Sequence, residues 1–139
     1  MKKLLLLLLL SLGFIGSANA NLLLYGGQNH DIFLGCYDCG HFESDSICNR
    51  FGLYGSRFNS ESIWNRFGTY GSRFSSFSPW NKFSSGSDVP VLVDRSGNFY
   101  GYFPIHCFRA NAFDSCRSLK SAYETLDNLN ELRDDFCDK

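Results

Sequence analysis

Residues 42–57 read FESDSICNRFGLYGSR, residues 58–73 read FNSESIWNRFGTYGSR, and residues 74–85 read FSSFSPWNKFSS. Phe42, Phe58 and Phe74 open the copies, and Asn49, Asn65 and Asn81 recur at the same interval. Between residues 47–62 and 63–78, twelve of sixteen positions are identical. Repetition this regular means that one local conformation is used in succession. A unit too short to bury its own apolar face must be covered by its neighbour. The repeats, residues 42–83, are therefore expected to stack, with Phe, Ile or Trp, and Tyr of one copy covering those of the next.

The chemistry within a unit suggests how. Phe-x-Ser-x-Ser sets hydroxyls where they can bond nearby backbone amides, and Asn65 suits a turn. Gly68 and Gly71 argue against a helix, at about 1 kcal/mol each. A short extended arm and a tight turn per unit is the expected form. Cys48 aligns with Trp64 and Trp80, so a small residue stands in a slot that is aromatic in the other copies. A disulfide reaching in from outside the repeats would fill that space.

On the N-terminal side, residues 22–25 (LLLY) and 32–34 (IFL) are short apolar runs closed by glycine, suited to strands or core plugs. On the other side, residues 84–88 form a Ser/Gly linker. Two apolar arms around DRSGN then give a β-hairpin over residues 89–103, with Pro90 near its start and Pro104 after its end. Beyond it, Ala112, Cys116, Leu119, Ala122, Tyr123, Leu126, Leu129 and Phe136 share one side of a helical wheel. This predicts a C-terminal amphipathic helix over residues 111–137, in which Asn130 and Arg133 break the apolar stripe, so that either the packing there is imperfect or the helix is in two pieces.

Residues 1–20 stand apart. Lys2 and Lys3, the apolar run from Leu4 to Ile15, and Ala18-Asn19-Ala20 form a secretory signal, too short and wrongly flanked to span a membrane. The expected product is one exported domain, residues 21–139, periplasmic or secreted, without a transmembrane segment. Removing Lys2 and Lys3 leaves eleven Lys and Arg against fourteen Asp and Glu, a charge of −3. That balance does not favour a nucleic-acid partner.

An even number of cysteines in a small exported chain reads first as a disulfide framework of Cys36, Cys39, Cys48, Cys107, Cys116 and Cys137. On one continuous helix Cys116 and Cys137 would stand roughly 30 Å apart, too far to bond. Cys107 with Cys116, and Cys137 with the N-terminal group, are the pairings this favours. The rivals are chemical. Cys36-x-x-Cys39 could be a thiol redox pair, although Asp38 opposes a thiolate and Gly40 opposes a following helix. Cys36, Cys39, His41 and Cys48 could hold zinc. Hydrolysis by His30, His41 or His106 lacks a nucleophile elbow. No catalytic residue and no cofactor are expected, and an enzyme is the less favoured reading.

Most of the phenylalanines are expected in the core. Trp64, Trp80, Tyr54 and Tyr70 are the candidates for an exposed binding face, for a glycan or an envelope protein. Arg57 and Arg73 are expected to project outward with their stems over neighbouring rings.

The series Leu-Gly-Cys…Cys, Ser-Ile-x-Asn-x-x-Gly-x-Tyr-Gly-Ser-x-Phe, Ser-Pro-Trp-Asn and Val-Asp-Arg-x-Gly-Asn-Phe-Tyr-Gly resembles a family of small exported bacterial proteins with no assigned activity. The likeness covers residues 34–103 and implies export and a shared architecture, but brings no catalytic residues. The sequence thus points to a small α+β, disulfide-bonded domain of stacked aromatic repeats, hairpin and helix, acting as a structural or interaction module.

Overall fold

The computed structural model of the protein describes residues 21–84 and 86–138. The signal expected over residues 1–20 lies outside them. Four strands form one antiparallel sheet: β1 (Leu23–Gly26), β2 (Ile32–Cys36), β3 (Val91–Val93) and β4 (Phe99–Tyr102), in the order β2-β1-β3-β4. β1 lies centrally, pairing Leu24 with Gly35 on one side and with Leu92 on the other. β3 and β4 pair through Val91 with Tyr102 and Leu92 with Gly101. Alternation along the strands divides the apolar residues: Leu24, Leu34 and Leu92 enter the main core, while Leu23, Tyr25, Phe33 and Val93 form a second cluster with Cys36 and Cys39.

Neither outer strand is left bare. Along β2, the Cys36 amide donates to the Asp45 carbonyl and the Ile47 amide donates to the Cys36 carbonyl. Along β4, the Tyr102 amide donates to Asn111 and the Phe113 amide donates back to Tyr102. Two irregular segments thereby occupy edges that would otherwise recruit another chain. Gly101, at a φ of +126°, allows one of these approaches, because a Cβ there would come within 2.8 Å of the Phe113 Cα.

From Glu43 to Ser84 the backbone is a string of linked turns, not the extended arms the sequence suggests. Amides of Ser62, Asn65 and Gly68 donate to carbonyls three residues back, at Asn59, Ser62 and Asn65. Ser78 and Ser75 do the same in the next copy. Side chains reinforce each bend: Ser46, Ser62 and Ser78 hydroxyls accept from the amides of Cys48, Trp64 and Trp80. Asn49, Asn65 and Asn81 carboxamides accept from Phe51, Phe67 and Phe83. Hydroxyl and carboxamide groups compete with regular backbone pairing in this way, so a Ser- and Asn-rich repeat settles into bends instead of strands.

The buried face of these turns carries Ile47, Ile63, Trp64 and Trp80. The two indoles stack with centroids 5.5 Å apart, and each Nε1 donates to a carbonyl seventeen residues back, Ile47 for Trp64 and Ile63 for Trp80. Tyr54 and Tyr70 meet the sheet instead, Tyr54 edge-on to Phe33 at 4.9 Å and Tyr70 over Gly26.

Within residues 111–137 the helix is in two pieces, and it starts later than expected. Residues 111–115 are irregular, α1 spans Cys116–Leu126, and α2 spans Leu129–Cys137. Asp127 takes a left-handed conformation, and the Asn128 side chain accepts from the amides of Asn130 and Glu131 to start α2. The break turns the second helix so that Leu132 and Cys137 reach the core. Arg133 is buried as well, and its guanidinium donates to the Gly55 carbonyl at 3.2 Å.

Candidate functional site

Three disulfides close the scaffold: Cys36–Cys39, Cys48–Cys137 and Cys107–Cys116. The second brings the end of α2 into the slot that Trp64 and Trp80 fill in later copies. These bonds also bear on the two thiol chemistries. Cys36, Cys39 and Cys48 offer no thiolates in this oxidised form, so the set with His41 has lost its sulfur ligands. Cys36 ends a strand, both sulfurs of the Cys36–Cys39 pair belong to buried residues, and an Asp38 carboxylate oxygen lies 3.7 Å from the Cys36 sulfur. A negative group beside the sulfur opposes the thiolate that disulfide exchange requires.

The histidines do not assemble a hydrolytic centre. His30 Nε2 lies 3.0 Å from the Val89 carbonyl oxygen, with its ring edge-on to Tyr102. His41 is exposed in the loop after Cys39. Two open grooves run along α1. One of about 560 Å³ is bordered by Arg117, Ser121 and Thr125, and one of about 260 Å³ by Phe108, Lys120 and Glu124. Lys120 is paired with Glu124 at 2.6 Å.

The aromatic residues depart most from the sequence reading. Trp64 and Trp80, proposed there as an exposed face, are each only 1% exposed. Tyr54 and Tyr70 are half-buried, and burial, followed by the nearby Glu61 carboxylate, raises both phenol pKa values above the ordinary range. None of the four is free to stack on a sugar ring, because the indoles are needed in the core and the phenols against the sheet.

Phe103 and Phe113 are in the core as expected, but most phenylalanines of the repeats lie outside it. Phe42, Phe51, Phe58, Phe67, Phe74 and Phe83 are between 77% and 99% exposed. Phe108, outside the repeats, is 85% exposed. Leaving such a ring in water forgoes about 1.5–3 kcal/mol relative to burial. Surface rings of this number need an explanation. Their placement is fixed by the turns: Phe51, Phe67 and Phe83 each donate an amide to an Asn carboxamide, and Phe58 and Phe74 each donate to a Ser hydroxyl.

Each ring also has a basic neighbour in sequence: His41-Phe42, Arg50-Phe51, Arg57-Phe58, Arg66-Phe67, Arg73-Phe74, Lys82-Phe83 and Phe108-Arg109. In four pairs the cation sits over its own ring, at 4.8 Å for Arg57, 4.7 Å for Arg66, 5.0 Å for Arg73 and 5.2 Å for Lys82. Such a contact contributes about 0.5–1 kcal/mol at an exposed site, which holds the pair together without removing either member from solvent. Arg50 is instead paired with Asp134 at 2.7 Å. Arg109 lies 3.9 Å over Tyr102 and donates to the Gly86 carbonyl, and burial lowers its pKa.

The signal for these surface rings was present in the sequence. A Phe after a basic residue recurs twice per copy, whereas the positions that the core uses, Ile63 and Trp64, have no cation beside them. No family model matches the chain, and neither a curated protein nor a solved structure matches it.

Proposed function

We propose that the protein is a non-enzymatic, exported interaction module, whose repeats present exposed phenylalanine–cation pairs from a disulfide-closed scaffold. In this reading the copies in residues 42–83 are successive coils of one short solenoid. The hairpin of residues 89–103 and the two helices cover its inner side. The observation that carries it is the high exposure of six phenylalanines of the repeats, five of them, Phe51, Phe58, Phe67, Phe74 and Phe83, at positions whose backbone is held by Asn or Ser side chains. A ring carried on a held backbone and left in water is suited to contact with something else, since the backbone has little ordering entropy left to lose on binding.

Export rests on the leader-like residues 1–20, on the resemblance in residues 34–103, and on the three disulfides, which persist in oxidising compartments. No helix among the described residues is long and apolar enough to cross a membrane.

The test compares retention of the purified, oxidised protein on cell envelopes with that of a variant carrying Phe67→Ser, Phe74→Ser and Phe83→Ser. Saturable retention that the variant loses, with its near-ultraviolet spectrum unchanged, is the expected result. Equal retention of both proteins, or none, overturns the reading. Turnover of a dithiol substrate abolished by Cys36→Ser would replace it with thiol exchange.

A further inference from the structure

We infer that the surface these pairs fit is a bilayer leaflet rich in anionic phospholipid, bound peripherally. The inference rests on the interaction-module reading and names its partner.

Charge complementarity selects this occupant. The repeats, residues 42–83, carry Arg50, Arg57, Arg66, Arg73 and Lys82 against Glu43, Asp45 and Glu61, and from Ser46 onward Glu61 is their single carboxylate. Arg50 is taken by Asp134, and among the described residues the other four make no ion pair. The acid of the chain is concentrated elsewhere: residues 114–138 hold seven carboxylates against Arg117, Lys120 and Arg133. Charge is therefore unevenly divided along the sequence, basic in the turns and acidic in the helical segment, and the two meet at the Arg50–Asp134 pair.

Each pair offers both things a lipid interface takes up. The ring partitions to the boundary between headgroups and acyl chains, and the guanidinium or ammonium meets lipid phosphate. Guanidinium forms paired hydrogen bonds with phosphate oxygens, so Arg66 can exchange its ring contact for a headgroup without a change of backbone. Neither signal is strong alone, and together they give reversible attachment.

Two other occupants fit less well. An acidic polysaccharide would neutralise the cations but offers the rings no apolar phase to enter. A second copy meeting through the same face would set the two cation sets against each other, since a two-fold interface apposes identical patches.

The experiment is co-sedimentation of the purified, oxidised protein with vesicles of phosphatidylglycerol and phosphatidylcholine, and with vesicles of phosphatidylcholine alone. Binding to the first and not the second is expected. Arg66→Gln with Arg73→Gln should weaken it roughly thirtyfold at low salt, about fivefold per cation. Phe67→Ser with Phe74→Ser should weaken it at low and high salt alike, because the apolar contribution is not screened. These substitutions lie on exposed side chains, and stacking of Trp64 on Trp80, read by near-ultraviolet dichroism, verifies that the fold survives.

Envelope retention without vesicle binding overturns the lipid assignment and leaves the module intact. Loss of both sinks both. Binding to soluble alginate that the phenylalanine variant retains in full overturns the lipid assignment in favour of a polysaccharide. A mass that doubles with concentration and falls with the same variant overturns it in favour of self-association.

Discussion

Tyr123 of α1 lies flat on Trp80, with ring centroids 5.6 Å apart and planes 6° from parallel. Trp80 in turn stacks on Trp64, whose indole donates to the Ile47 carbonyl beside Cys48. Cys48 is tied to Cys137 of α2. The two helices thus close the same column, one with an aromatic ring that continues the stack and the other with a covalent bond. This resolves a problem every short array has, which is that its end units lack a neighbour.

Removing the Tyr123 ring should expose Trp80. Tyr123→Ala is expected to cost about 2 kcal/mol, below the value for a fully buried aromatic because the phenol is partly in solvent. Chemical denaturation monitored by tryptophan fluorescence measures it, with emission of the folded state moving to longer wavelength. Tyr123→Phe should retain nearly all the stability. An unchanged Tyr123→Ala midpoint would mean that the stack ends at Trp80 without help from α1.

The three disulfides should contribute unequally. Chain-entropy arguments scale with the loop closed, and the sequence separations are 89 for Cys48–Cys137, 9 for Cys107–Cys116 and 3 for Cys36–Cys39. The corresponding estimates are about 4.6, 2.6 and 1.6 kcal/mol. Replacing Cys48 and Cys137 together by Ala is expected to lower the thermal midpoint most, with an added cavity beside Trp64. Scanning calorimetry of the three double variants checks the order, and a smaller loss for Cys48–Cys137 than for Cys107–Cys116 would contradict it.

Much of this was legible in the residues themselves. The Cys48 anomaly in a Trp position is visible by alignment of the copies, and so is the need for something to fill it. The two-strand pattern of residues 91–102 follows from apolar arms around Asp94-Arg95-Ser96-Gly97-Asn98. The break at Asp127 was only half visible: Asn130 and Arg133 interrupt the stripe, but the left-handed residue and the Asn128 cap resemble ordinary polar helix positions. The phenylalanines misled for a physical reason. Hydrophobicity places Phe inside by default, yet where Phe67 points depends on which turn the Asn65 carboxamide enforces, and composition does not carry that.

Gly71 is required by backbone approach. A Cβ there would overlap the Asn65 carbonyl, and Gly55 meets Asn49 in the same way. Gly71→Ala should therefore force two backbone segments apart and cost more than about 3 kcal/mol, the range of a strained core substitution. Gly86 provides the comparison, because a Cβ there meets nothing within 4 Å. Gly86→Ala is expected to change stability by less than about 1 kcal/mol in either direction. Thermal melts of the two variants decide it, and similar midpoints would remove the steric argument for the Tyr-Gly-Ser motif.

The turn between β3 and β4 should make stability fall in acid. The Asp94 carboxylate accepts from the Asn98 side chain at 2.8 Å, from the amides of Asn98 and Ser96 at 2.9 Å each, and from the Tyr100 hydroxyl at 3.2 Å. These bonds, the Asn98 side chain foremost, hold its pKa below the ordinary carboxylate value. A lowered folded pKa contributes stability that is complete above the unfolded value, near 3.9, and is lost as pH falls through the folded one. Tyr100 works in the opposite sense, since its bond to Asp94 raises the phenol, so its contribution is complete below about pH 10 and declines as the pH rises beyond it. Thermal midpoints of Asp94→Asn and wild type, followed from about pH 6 down to pH 2, should converge as the carboxylate is protonated. Parallel curves would show that another carboxylate sets the acid limb.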